Sequence, residues 1–247
     1  MDPLYCQMIK DEQLTTVSEL SAAFLRPSSP LHLQFAYYES SLVVEYLIEK
    51  HGQATLNKML TDLGIGLTMA EVVQRHVGPP QLLDKDFERF AKQQAEAFAA
   101  EASWEQPDAE KTSSLNQLAA WLSAHPRNVP GRQRYLQALV KAEQFEKAKK
   151  VAEELLSLCP DYVGEGSPHT VLADIYRQEG NLKREIDLRQ QVAVHQGDAI
   201  NTYLRLMEIG KEQEDWGMVL DNVDRMLAVN PLIAAPHRFR SEAAEAL

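Results

Sequence analysis

The chain is poor in cysteine: of 247 residues only Cys6 and Cys159 carry a thiol. They are far apart and form no CxxC spacing, so two free, buried thiols are expected and not a metal or redox pair. No apolar run reaches the roughly 18–20 residues that a membrane-crossing helix needs, so no membrane span is expected. The opening residues, MDPLYCQMIKDEQ, lack both the basic start and the apolar stretch of a signal peptide. No block of basic charge stands out. The net charge is −11, and an acidic chain repels phosphate backbones, which argues against nucleic acid as a partner. No stretch alternates apolar and polar residues with period two, so strands are not expected.

The usual chemical motifs are missing too. The seven histidines, at 32, 51, 76, 125, 169, 195 and 237, stand alone. None has a second histidine one helical turn on, so the HExxH pattern that places two imidazoles on one zinc ion is absent. No metal site and no cofactor is expected. Ser40-Ser41 sits in no GxSxG elbow, and GIGL (64–67) lacks the lysine of a phosphate loop. The tryptophans at 104, 121 and 216 are spread among helical stretches and read as packing residues.

What the chain does have is helical patterning. Its 45% apolar and 25% charged content is ordinary for a globular protein. Apolar residues at helical spacing begin at Leu14, in LTTVSELSAAFL, and PSSP (27–30) stops them. A second helix is predicted from about Leu33 to Lys50, with Gly52 as its stop. A third covers Ala54–Leu63. Thr68 caps a fourth over MAEVVQRHV. A long amphipathic helix then runs through LLDKDFERFAKQQAEAFAAEASW and ends before Pro107.

The second half repeats. Pro126 and Pro160 each follow an apolar helix and lie 34 residues apart. Gly180-Asn181 and Glu214-Asp215 occupy equal turn positions, again 34 apart. This period predicts units at 129–162, 166–199 and 200–233, with partial flanks at 112–127 and 234–247. Three extra residues near Val163–Gly166 separate the first two units. Tyr135, Leu136 and Ala148 fill packing positions of the first unit. Leu172, Ala173 and Tyr176 do so in the second, and Tyr203, Leu206 and Leu227 in the third. In the tetratricopeptide repeat, which these units resemble, alanine is usual where Glu185 stands, glycine where Met207 does and tyrosine where Gly210 does.

A 34-residue pair of helices resembles the tetratricopeptide repeat. The resemblance covers roughly half the chain. It implies a right-handed superhelix over 106–247 whose inner face is lined by each unit's first helix. The inward positions would be Gln133, Gln137 and Lys141, then Thr170, Asp174, Arg177 and Gln178, then Leu204, Glu208 and Lys211. These are mixed polar residues of both signs, with no Lys/Arg cluster of the carboxylate-clamp type. They suit a protein or peptide partner.

Residues 14–95 carry a second resemblance. A short helix ending in an aromatic, a proline-rich loop, AYYESSLVVEYLIEKHG, a leucine-rich helix and a helix opened by Thr68 follow in order. This is similar to the C-terminal helical half of gluzincin metallopeptidases, the peptidase MA-like superfamily. The match puts Tyr38, followed by Glu39, on the tyrosine that donates a hydrogen bond to the oxyanion beside zinc. Tyr37 is the alternative match. With no HExxH in the chain, the resemblance implies a fragment of a longer metallopeptidase-like protein.

The expectation is therefore an all-α protein, with a helical bundle over 1–105 and tetratricopeptide-like repeats over 106–247. As it stands the chain is expected to be non-catalytic, an interaction module for a protein or peptide. One alternative is the auxiliary half of a zinc peptidase, contributing Tyr38. Another is a structural solenoid that self-associates.

Overall fold

The computed structural model describes residues 1–98, 100–164 and 166–247. Among them the fold is all-α, with fourteen α-helices, one 3₁₀ turn and no β-strand. A single parallel bridge joins Ser103 to Asn128. Residues 3–100 form one compact unit and residues 101–247 another. Among the described residues no helix is long and apolar enough to cross a membrane. Among the described residues no disulfide forms, and Cys6 and Cys159 are both buried.

In the first unit, α1 (Pro3–Lys10) packs on α6 (Pro80–Phe98), where the Cys6 thiol donates to the Ala95 carbonyl at 3.3 Å. The helix expected from Leu14 forms only in part. Residues 13–16 are irregular, a 3₁₀ turn spans Val17–Glu19, and α2 covers Leu20–Leu25. The physical reason is a side chain from elsewhere. Glu39 accepts the Thr15 amide at 2.6 Å, and a carboxylate that captures an amide competes with the helix ladder.

The next helix, α3 (Pro30–His51), starts earlier than its apolar pattern does. Ser29 caps it by accepting the His32 amide, and Pro30 sits at the first helical position, where its missing N–H is no loss. It ends at Gly52, whose φ of 82° favours a residue without Cβ. α3 buries Phe35, Ala36, Glu39, Leu42, Val43, Tyr46 and Leu47, and leaves Leu31, Tyr37, Val44 and Ile48 exposed. Tyr46 meets Phe87 and Phe90 of α6, with ring centroids 6.0 and 5.4 Å away. α4 (Gln53–Gly64) and α5 (Met69–His76) follow. Thr68 caps α5 in a reciprocal box with Glu71, as its sequence position predicts.

The long helix was expected to continue through Trp104, but α6 ends at Phe98 in the described residues. From Ser103 onward the chain belongs to the second unit. Ser103 donates its amide to the Arg127 carbonyl at 2.8 Å and accepts from the Val129 amide at 3.0 Å. Asn128, fully buried, donates to the Glu105 carbonyl at 2.7 Å. Three backbone-directed bonds thus hold the 103–105 segment beside the following helical turn.

The second unit continues as α7 (Leu115–Ala124), α8 (Val129–Lys141), α9 (Phe145–Leu158), α10 (Pro168–Gln178), α11 (Leu182–His195), α12 (Ile200–Glu212), α13 (Trp216–Val229) and α14 (Ala234–Ala246). Each helix from α7 onward packs on the next. α11 and α13 begin 34 residues apart, as do α12 and α14. The turns between α8 and α9, α10 and α11, and α12 and α13 each hold one residue of positive φ: Glu143, Gly180 and Glu214. Where α12 and α13 meet, Gly210 is required. A Cβ there would lie 2.9 Å from Val219 Cγ2 and 3.0 Å from the Asp215 carbonyl. Val192, Tyr203, Leu206, Met207, Val219, Val223, Met226 and Phe239 form a continuous apolar cluster across α11–α14. Burying such side chains supplies about 1.5–3 kcal/mol each, the main force holding this stack.

Candidate functional site

The two regions singled out by sequence fare differently. In the first unit Tyr38 is half-buried, with its ring stacked on Tyr5 at 4.9 Å and on Phe35 at 6.3 Å. Tyr37 is 65% exposed and meets Phe24 edge-on at 4.9 Å. Beside them Glu39 is buried. Its Oε1 accepts from Thr15, and its Oε2 has no partner among the described residues. Burial pushes this carboxyl up to about 7, with the Thr15 amide and hydroxyl drawing it part of the way back. Among the described residues no three His, Cys, Asp or Glu side chains converge as a metal site.

In the second unit a groove of about 820 Å3 runs between α10 and α12. Thr170, Asp174 and Arg177 share one face of α10 because they recur at i, i+4 and i+7. Opposite them lie the first residues of α12, Ile200, Asn201 and Thr202, followed one turn later by Arg205. Arg189 reaches in from α11.

A buried ion cluster underlies this groove. Glu185 of α11 is 1% exposed. Its Oε1 accepts from Arg189 Nε at 2.9 Å and from Arg205 Nε at 2.9 Å. Arg189 also donates to Asp174 at 2.7 Å, so α10, α11 and α12 are linked through two carboxylates and two guanidinia. Burial alone would raise the Glu185 carboxyl. Hydrogen bonds from Arg205 and Arg189 outweigh it and leave the group below the usual glutamate range. The same pairing raises Arg205 above its ordinary value. Glu185 is thus the hub of a polar network.

Of the ten expected inward positions, three line this groove: Thr170, Asp174 and Arg177. Gln133 donates instead to the Tyr162 hydroxyl at 2.5 Å, a ring that is fully buried. Gln137, Lys141 and Gln178 are exposed and lie outside the groove. Leu204 is half-buried against the apolar cluster. Glu208 accepts from Arg205 at 3.4 Å, and Lys211 pairs with Glu242 at 2.9 Å. The groove residues that the sequence reading passed over are Arg189, Asn201, Thr202 and Arg205. Glu185 and Arg189, an acid and a base one helical turn apart at a small-residue position, were the available signal.

Fold and groove together define an all-α chain of sequentially packed helices with a polar cleft between two of them. A scan against protein-family models, a search of curated proteins and a search of solved structures return no match.

Proposed function

We propose that this chain is a binding module that receives a protein segment or peptide in the α10–α12 groove, and that it works without catalysis. The observation that carries this reading is the groove itself. It is large enough for several residues, lined by polar side chains of both signs, and Arg189 and Arg205 are held in place by Glu185. The 34-residue recurrence of helix starts supports the tetratricopeptide-like, right-handed arrangement expected over 106–247. In the first unit, the stacking of Tyr38 on Tyr5 and Phe35 supports a packing role for that tyrosine.

The test is a random heptapeptide library on phage, panned over the whole immobilised chain. Peptides that enrich should lose binding to Asn201→Arg, which fills the groove from an exposed position whose side chain makes no hydrogen bond. Enrichment of nothing, or of peptides indifferent to Asn201→Arg, overturns the assignment. Light scattering over a range of concentrations separates the rival reading, since a self-associating solenoid grows in mass with concentration.

A further inference from the structure

The mouth of α12 is the most unusual feature of the groove. The thirteen-residue helix is preceded by Ala199, which offers no capping side chain. The amides of Asn201 and Thr202 find no partner among the described residues. Both point along the helix start, where aligned peptide dipoles leave about half a positive charge. A second observation is independent of the backbone. Thr202 is 5% exposed, yet its hydroxyl makes no hydrogen bond among the described residues, and it lines the groove. That hydroxyl can turn its proton toward a ligand atom in the groove.

The charges around this mouth are unequal in availability. Asp174 is engaged by Arg189 and Asp198 by Gln196. Arg189 and Arg205 are engaged by Glu185. Of the charged groove residues, Arg177 alone forms no ion pair or side-chain hydrogen bond among the described residues. What the groove has to spare is therefore two backbone amides, the Thr202 hydroxyl, the Asn201 carboxamide and the Arg177 guanidinium. Each can donate a hydrogen bond, and a carboxylate is an acceptor only.

We propose that the α12 end of the groove receives the side-chain carboxylate of an aspartate or glutamate within an extended peptide. The inference rests on the groove being a peptide site and adds the chemistry of one anchoring residue. An internal side chain fits better than a chain terminus, because the groove is far larger than one terminal residue needs. The chain's net charge of −11 opposes an acidic partner at a distance. That field is screened beyond about 8 Å at physiological salt, whereas the donors act at contact.

The experiment takes the heptapeptides enriched on the whole chain, synthesised with both ends capped, and measures their affinity by fluorescence anisotropy. The expected result is one fixed acidic position, at which Glu→Gln or Asp→Asn in the peptide weakens binding about tenfold. That penalty shrinks in Arg177→Gln and in Thr202→Val. Among the described residues Arg177 makes no side-chain bond that folding would miss, so its variant reports on the ligand even if Thr202→Val loosens the helix. Peptides that bind the groove with no acidic position overturn the inference and leave the peptide site standing. So do peptides that bind only with a free C-terminus. If no peptide enriches, both readings fall together.

Discussion

Two glutamates, one in each unit, are buried to the same degree and behave in opposite ways. Glu39 and Glu185 are each 1% exposed. Among the described residues Glu39 has one hydrogen-bonding neighbour, Thr15, so desolvation dominates and its carboxyl rises to about 7. Glu185 is likewise penalised by burial but lies between Arg189 and Arg205, and is held below the ordinary glutamate range. Burial sets the penalty for the charged form, and the partner decides whether the group keeps its charge. The consequence is a division of labour. The first unit carries a lone acid that fastens a loop, and the second carries a paired acid that fixes two arginines beneath a groove.

The same isosteric change should break this comparison in two directions. Glu185→Gln removes the charge that compensates two buried guanidinia and should destabilise the second unit by about 3 kcal/mol at pH 7. All three tryptophans lie in that unit, so tryptophan fluorescence during urea unfolding reports it. An unchanged midpoint would remove the ion cluster from the account of the groove. For Glu185 the lowered value means that stability is present above its unfolded value of 4.5 and is lost as pH falls below it.

Glu39 runs the other way. Its folded value lies above the unfolded 4.5, so its contribution is full below pH 4.5 and is lost as pH rises through about 7. Stability of the first unit should fall by about 3 kcal/mol across that window, the equivalent of the shift. Far-UV circular dichroism of urea unfolding from pH 4.5 to 8 should show this decline, and Glu39→Gln should flatten it. A slope that persists in Glu39→Gln would assign the titration to another group.

A smaller contrast concerns two helical glycines. Gly210→Ala drives a Cβ to 2.9 Å from Val219 and should cost about 1–3 kcal/mol, because α13 must shift. Gly64→Ala in α4 meets nothing within 4 Å and should add about 0.5 kcal/mol through the unfolded chain's lost freedom. Thermal melts of the two variants should move in opposite senses.

Much of the helical layout was legible before any coordinates. Thr68 announced its capping box, and Gly52 announced the end of α3. The long helix was over-extended, because nothing local says that Ser103 bridges Asn128. The helix from Leu14 was over-extended as well, because Glu39, 24 residues from Thr15, takes its amide. Of the groove, the α10 face was legible from helical spacing. Thr202 and Arg205 were not, since their importance depends on which donors the fold leaves unpaired.

By itself the sequence determined the all-α class, the absence of strands and the 34-residue step, since periodicity and capping are local and act within a turn or two of the chain. Only the tertiary structure decided that Glu185 is paired with two arginines, that α12 opens uncapped onto a cleft, and that neither Glu39 nor Arg177 has a counter-charge among the described residues. Those outcomes depend on distances between residues remote in sequence, and electrostatic free energy is set by such distances and by burial.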